Sequence, residues 1–175
     1  MRRAMGGPGD DDLRAAERSV ADALGDLPLD FQALTVVSNI FRTATAARSH
    51  FERTVLAKHR LSWSAFVSLF VLRVWGDLEL RQLAHEVGVT PGTLSGVVDT
   101  LERRTFVQRV GHPTDGRRVI IRSTPAGVTA VESVIVLFNQ EESFITKELG
   151  AADRDELARL LRRILRTLDA ADSEM

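Results

Sequence analysis

Residues 79–122 constrain the fold of this chain more than any other segment. A short amphipathic helix ends there at Gly88, a second helix follows directly, and two strand-like runs come next. Glycine supplies the backbone freedom that a tight turn between two helices demands. The runs 106–110 and 117–122 are rich in β-branched and apolar residues and flank a turn at 113–116. We therefore predict a helix–turn–helix unit followed by an antiparallel β-hairpin.

Positive charge is concentrated in and beside this hairpin. Residues 103–122 contain six arginines and one aspartate, a net charge of +5, whereas the whole chain of 175 residues carries −1. The rest of the chain must therefore carry −6. Local fields rather than net charge govern docking to a charged partner, so this asymmetry indicates an anionic partner for one face of the protein.

The second helix of the unit is predicted to have one apolar and one polar face. Thr90 fits its N-cap position and Pro91 its first turn, where no amide donor is needed. The inward positions are Leu94, Val97, Val98 and Leu101. The outward positions are Gly92, Thr93, Ser95, Gly96, Asp99, Thr100 and Arg103.

Small polar side chains near a helix N-terminus suit close approach to the major groove of DNA, where hydroxyls bond phosphates or base edges. An ordinary solvated helix face gives the same pattern, and the helix alone does not decide between the two. The hairpin favours the DNA-reading interpretation, because a solvated face is not usually followed at once by a basic wing.

Strand alternation separates the arginines of the hairpin. Arg118 and Arg122 share one face, whereas Arg117 leaves the backbone in the opposite direction. One guanidinium can then enter a narrow minor groove, whose negative potential attracts arginine, while another holds a phosphate or Asp115. A plain exposed hairpin with solvated arginines is the alternative. The candidate DNA contacts are Thr90, Pro91, Thr93, Ser95, Asp99, Arg103, Arg109, Asp115, Arg117 and Arg118.

Helical periodicity continues on both sides of this unit, and only the segment 105–122 has the pattern of β-structure. Asp30 and Ser62 are good N-caps, and Gly76 ends a strongly apolar helix that we expect to be buried. The predicted helices span 30–57, 62–75, 79–87, 90–104, 125–147 and 152–170. The apolar stripes that require a partner surface lie in 31–55, 128–145 and 157–168.

Composition excludes several classes of protein. The chain has no cysteine, so it forms no disulfide and no thiolate metal site. Its four histidines lie in different segments without metal-ligand spacing, and no nucleophile–base pair is recognisable. No run of about 18 uncharged apolar residues and no signal-peptide pattern is present. We expect a cytoplasmic protein that is not an enzyme, has no cofactor or metal, and does not bind a membrane.

Residues 30–170 resemble the MarR (multiple antibiotic resistance regulator) family of winged-helix transcription factors. The motifs that carry the resemblance are 87–91 (the turn), 98–102 (the end of the recognition helix), 115–117 (the aspartate-x-arginine wing signature) and 124–127 (the start of the next helix). Three positions depart from the family pattern. Many relatives have a serine in place of Gly92 and a basic residue in place of Gly96, and Thr105 replaces the usual glycine.

The resemblance implies a mainly α fold, a winged helix-turn-helix with a two-stranded β wing and an α-helical dimerisation domain formed by N- and C-terminal helices. Residues 61–123 form the winged helix, 30–58 and 125–171 form the dimerisation region, and 1–29 are an extension that is partly disordered or a short helix. The implied function is a repressor. Its homodimer binds a pseudo-palindromic operator in double-stranded DNA, with the recognition helix in the major groove and the wing in the minor groove.

Two functional questions stay open at the level of sequence. The glycines at positions 92 and 96 keep alive an alternative, a winged-helix interaction or dimerisation module without sequence-specific DNA binding. The resemblance also implies a small aromatic or anionic effector, for which the candidate residues are His50, Trp63, Phe66, Phe70 and Arg73. The aromatic residues at helical spacing are equally typical of a core, and Arg73 could instead pair with a carboxylate such as Asp77. Protonation of His112 is a further hypothesis, since it would add charge near a phosphate.

Overall fold

The computed structural model describes residues 10–112, 114–115 and 118–173. The elements are α1 (Asp10–Leu24), α2 (Phe31–Thr54), a 3₁₀ turn (Leu56–His59), α3 (Trp63–Trp75), β1 (Leu78–Glu79), α4 (Leu80–Val87), α5 (Pro91–Arg103), β2 (Val107–Gly111), β3 (Val119–Ser123), α6 (Pro125–Ile145) and α7 (Ala151–Ser173). The chain divides into two compact units, 1–48 and 49–175, and the division falls inside α2. No helix in the described ranges is both long enough and apolar enough to cross a membrane.

The first unit contains α1 and most of α2. Asp30 caps α2, because its Oδ1 accepts the backbone N–H of Ala33 at 3.0 Å. The amide of Asn39 on α2 donates to Oε1 of Glu17 on α1 at 2.9 Å. Residues 10–24 of the predicted N-terminal extension are therefore helical, and residues 1–9 lie outside the described part of the chain.

The helices of the second unit begin and end where local signals predict. The hydroxyl of Ser62 accepts the N–H of Ala65 at 3.2 Å and caps α3, and Gly76 ends that helix at φ 81°. Gly88 closes α4 in the left-handed region at φ 71°, as the tight turn requires. The prediction that the first long helix continues to residue 57 is wrong, since α2 ends at Thr54 and a 3₁₀ turn follows.

The core of the second unit lies between α3, α4, α5, α6 and the sheet. Helix α3 buries the side chains of Phe66, Leu69 and Leu72, as its strongly apolar sequence predicts, although its last residue, Trp75, is 67% exposed. The fully buried larger side chains are Leu56, Leu69, Leu83, Leu94, Leu101, Ile121, Val98, Val107, Val131 and Val134. This core fixes the orientation of α5 and of the hairpin.

The sheet has three antiparallel strands in the order β1-β3-β2. The predicted hairpin is confirmed: β2 and β3 pair from Val107 opposite Ser123 to Gly111 opposite Val119. The prediction that only 105–122 forms β-structure is wrong, because Leu78 and Glu79 pair with Ile121 and Ile120 as a third strand. Two residues are too few to show a period-2 pattern, so pairing with β3 alone makes this segment a strand.

The link from α5 into β2 is unusually tight. Thr105 adopts φ 59°, the left-handed region that favours glycine. Its carbonyl accepts the hydroxyl of Thr124 at 2.5 Å, and Thr124 in turn caps α6. A Cβ on Gly127 would lie 2.0 Å from the carbonyl oxygen of Phe106, so α6 packs directly on this backbone. The departure from the family pattern at position 105 therefore leaves the link in place.

Candidate nucleic-acid interface

Helix α5 presents the polar face that the sequence predicts. The oxygen Oγ1 of Thr90 accepts the N–H of Thr93 at 3.2 Å, and the two threonine hydroxyls lie 3.0 Å apart. Leu94, Val98 and Leu101 are buried, which holds the opposite face outward. The exposed positions of the helix include Pro91, Gly92, Thr93, Gly96, Asp99, Thr100 and Arg103, whereas Ser95 is half-buried.

The two glycines of α5 expose bare helix backbone. No atom lies within 4 Å of the position that a Cβ would occupy at Gly92 or Gly96. Neither glycine is therefore required by packing against the rest of the protein. Because the glycines are one helical turn apart on the exposed face, the helix has room there for close approach to a flat partner.

Arg109 on β2 is held by the recognition helix. Its guanidinium contacts Oδ1 of Asp99 at 2.7 Å and Oε2 of Glu102 at 2.6 Å, and its backbone N–H donates to Oε1 of Glu102 at 3.0 Å. Burial alone would lower the pKa of the Arg109 guanidinium, but the hydrogen bonds to the two carboxylates outweigh burial and raise it. The pairing couples the first strand of the wing to the last turns of α5.

Arg118 is held by a carboxylate at the other side of the sheet. Its Nε donates to Oε2 of Glu79 at 2.8 Å, and its Nη2 contacts Oε1 of the same residue. Nε2 of His112 lies 3.8 Å from Oε1 of Glu79. Glu79 on β1 therefore faces one basic residue at the end of β2 and another just before β3. The structure places His112 beside a carboxylate, and the hypothesis that it meets a phosphate stays untested.

Arg122 makes a third pairing of the same kind. Its Nε donates to Oδ2 of Asp77 at 2.7 Å, and this hydrogen bond raises the pKa of Arg122. Alternation along the chain accounts for the arrangement, since Arg118 precedes β3 by one residue and is four residues from Arg122, so both side chains reach toward the same neighbouring segment at 77–79. Asp77 thus pairs with Arg122, and the alternative that it pairs with Arg73 is wrong, because Arg73 pairs with Glu132 at 2.8 Å.

Two arginines at the end of α5 have no carboxylate partner among the described residues. The guanidinium of Arg103 bonds only the carbonyl of Asp99 at 3.3 Å and the hydroxyl of Thr100 at 3.1 Å. Arg104 donates to the carbonyls of Arg60 and His59 and lies 4.4 Å from the ring centroid of Phe106. Arg103 is exposed, and none of the described carboxylates neutralises its charge.

The turn of the wing is described only in part. Arg117, Pro113 and Gly116 lie outside the described residues. Asp115 is half-buried, and its carbonyl accepts the N–H of Arg118 at 3.0 Å. The described part of the candidate site therefore brings together α5 and the base of the wing. The carboxylates that pair with the wing arginines, Asp77, Glu79 and Glu102, could not be assigned to them from the sequence, because these pairings depend on strand register or on the packing of β2 against α5.

A cavity of about 360 Å³ lies elsewhere in the second unit. It brings together the predicted effector residues Trp63, Phe66 and Phe70, and it adds four residues of α6, Ile135, Phe138, Asn139 and Glu142. His50 and Arg73 do not line it. His50 contacts Glu141 at 2.5 Å, and Arg73 pairs with Glu132 at 2.8 Å. The α6 side of the cavity was missed because its approach to α3 depends on tertiary packing.

These elements define a class of protein. A helix–turn–helix whose second helix exposes a polar face, followed by a basic hairpin that completes a small sheet, is a winged helix. Residues 61–119 match the model of the MarR family.

Relatives and solved structures agree with this match. The HTH-type transcriptional regulator YwaE of Bacillus subtilis is 32% identical over 155 residues, which are 87% of this chain and 91% of the relative. The HTH-type transcriptional repressor NicR of Pseudomonas putida is 26% identical over 79% of this chain and 89% of its own. Among solved structures, that of Bordetella bronchiseptica BpsR, whose DNA binding is regulated by 6-hydroxynicotinic acid, matches with a TM-score of 0.66. The two sequences are 25% identical, and the match covers 73% of this chain and 97% of BpsR. The chain belongs to the MarR family of transcriptional regulators.

Proposed function

We propose that the protein is a repressor that binds a pseudo-palindromic operator as a homodimer in the cytoplasm and that a small molecule controls its DNA binding. One observation carries the proposal: the polar face of α5 is exposed beside a basic hairpin that is ion-paired to it through Arg109. The name of NicR, a repressor, and the regulation of BpsR by a small acid support it. The protein acts by binding, without catalysing a reaction.

The contacts of the arginines suggest a division of roles. Arg109, Arg118 and Arg122 hold the wing against α5 and β1 through carboxylates. Arg103 and Arg117 are then the arginines that contact DNA, Arg103 at a phosphate and Arg117 in the minor groove. The base edges of the major groove are read from the exposed face of α5. The reading residues there are Thr90, Pro91, Thr93 and Ser95, whereas the carboxylate of Asp99 contacts Arg109 and belongs with the groups that hold the wing.

Dimerisation is supported by exposed apolar side chains on the helices that flank the winged helix. On α6, Val136 is 61% and Phe144 is 55% exposed, and on α7, Leu165 and Leu168 are both 57% exposed. Exposed apolar residues that are scattered singly are normal on a monomer, whereas here several occur on each of two helices. A second copy of the chain would cover them.

A gel shift with duplex DNA from upstream of the gene, repeated over a range of salt concentrations, tests the proposal. The logarithm of the affinity should fall with the logarithm of salt, with a slope of about −0.9 per phosphate contact. Arg117→Ala should weaken binding by about 1–3 kcal/mol per protomer, because the arginine reads a groove. Arg159→Ala removes an equal charge from α7, where the arginine pairs with Glu156, and serves as the control.

Two results would contradict the proposal. Wild-type affinity in Arg117→Ala would exclude the minor-groove role of the wing. Binding with no dependence on sequence or salt would favour the alternative, an interaction module that does not read DNA.

A further inference from the structure

The walls of the cavity between α3 and α6 are mainly aromatic. The rings of Phe66 and Phe138 stack with centroids 4.6 Å apart, and Phe66 and Phe70 are 6.2 Å apart. Trp63 lies 6.0 Å from Phe138. Phe51 stacks on Phe138 at 3.9 Å, so the wall is supported from behind. The cavity volume of about 360 Å³ lies at the lower end of the range for small-molecule sites, which suits a ligand of one or two rings.

The polar part of the lining carries a negative charge. Asn139 and Glu142 are the polar residues there, and none of the described lining residues is basic. The amide of Asn139 donates to Oε2 of Glu142 at 2.9 Å, which leaves Oε1 available. Within the described residues Glu142 has no cationic partner, whereas the other acidic groups of α6, Glu132 and Glu141, contact Arg73 and His50.

We propose that this cavity binds a small organic cation with an aromatic or lipophilic body, an ammonium compound rather than a carboxylic acid. Phe138 is stacked against Phe51 and Phe66, so a cation would meet the less buried rings of Trp63 and Phe70. Aromatic faces attract cations through their quadrupole, and the exposed carboxylate of Glu142 adds a negative charge at the rim of the cavity. An anionic ligand would be repelled by Glu142 and would find no described arginine or lysine in the lining. The inference rests on the proposed control of DNA binding by a small molecule and names the chemical class of that molecule.

A solved structure with a named ligand provides a contrast. BpsR is regulated by 6-hydroxynicotinic acid, an aromatic carboxylic acid. The basic residue that the sequence suggested for such a ligand here, Arg73, is half-exposed and already paired with Glu132 at 2.8 Å. Arg73 does not line the cavity, and a carboxylate ligand could bind it only by displacing Glu132. The ligand proposed for this chain therefore has the opposite charge to the ligand of BpsR.

The test compares phenyltrimethylammonium with benzoate, two probes of similar size and opposite charge. The chain has two tryptophans, so the variant Trp75→Phe leaves Trp63 as the only fluorescent indole. Titration of this variant, checked by calorimetry, should show phenyltrimethylammonium binding at least tenfold more tightly than benzoate. Glu142→Gln should reduce the cation affinity about tenfold and leave benzoate binding equal or stronger, because glutamine can still accept from Asn139 but carries no charge.

Glu148→Gln is the matched control, because it removes the same charge from a side chain that is 87% exposed outside the cavity. Its cation affinity should stay within about twofold of the starting variant. Equal or tighter binding of benzoate, or a cation affinity that Glu142→Gln leaves unchanged, would overturn the inference. A gel shift on the same protein separates the two proposals. Cation binding without DNA binding would support the ligand class and reject the regulator.

Discussion

At the scale of single residues, Thr105 is the position where this sequence and its backbone disagree most. A non-glycine residue in the left-handed region costs about 1–2 kcal/mol, and a β-branched side chain is a poor choice there. The hydroxyl of Thr105 bonds the carbonyl of Arg104 at 2.6 Å, a local contact that recovers part of this cost. The strain persists because Thr124 fixes the carbonyl of Thr105 and Gly127 approaches the backbone of Phe106 closely.

We predict that Thr105→Gly stabilises the protein by about 0.5–1 kcal/mol, measured as a higher midpoint of urea unfolding. Relief of the left-handed strain should exceed the greater chain entropy of glycine in the unfolded state. Thr100→Gly provides the control, because it makes the same change at an exposed helical position and should lower stability by up to about 0.5 kcal/mol. A lower midpoint for Thr105→Gly than for the wild type would show that the hydroxyl contact outweighs the strain.

At the scale of elements, the wing is anchored at its base by Glu79. This carboxylate binds Arg118 and lies 3.8 Å from His112, so it contacts both arms of the hairpin just before the turn. Its side chain is 19% exposed, and its residue also caps α4. Glu79 therefore ties both arms of the hairpin to β1.

We predict that Glu79→Gln weakens operator binding about three- to tenfold even though it removes a negative charge from the DNA-binding unit. Simple electrostatics predicts the opposite sign, because loss of an acidic group next to a polyanion should strengthen binding. Glu86→Gln removes the same charge from an exposed position on α4 and should leave affinity unchanged or raise it. Gel shifts at one salt concentration compare the three proteins, and a rise in affinity for Glu79→Gln would exclude a positioning role.

The ion pairs of the wing also show what a sequence can and cannot reveal. Helix ends at Ser62, Gly88 and Thr90 are predictable because the residue that caps a helix is its neighbour in the chain. The partner of Arg118 is 39 residues away, and it is fixed by the pairing of β1 with β3. Strand β1 has only two residues and no pattern of its own, so this partner could not be predicted.

The cavity between α3 and α6 shows the same difference between what the sequence reveals and what it does not. Trp63, Phe66 and Phe70 follow one another at helical spacing, so the sequence could place them on one face of α3. Glu142 became part of the cavity only through the packing of α6 against α3, a contact between segments far apart in the chain. The expected charge of the ligand changed with that one residue. The aromatic character of the site was therefore predictable from sequence, and its electrostatics were not.

At the scale of the whole molecule, the apolar side of α7 is exposed in the single chain. Its leucines lie on one stripe with basic residues opposite, and the structure leaves them exposed. The exposed leucines are Leu157, Leu160, Leu161, Leu165 and Leu168. A symmetric dimer buries the same patch twice, so one substitution acts on both halves of the interface.

We predict that Leu165→Glu dissociates the dimer at micromolar concentration, detected by light scattering. A buried and unpaired polar group costs about 1–3 kcal/mol, and two copies should weaken the dimer roughly thirtyfold or more. Thr167→Glu introduces the same charge about 200° around the same helix and should remain dimeric. When Leu165→Glu loses the dimer, its operator affinity should also fall, because separate monomers then bind the two half-sites independently. A Leu165→Glu dimer with unchanged operator affinity would place the interface on other helices.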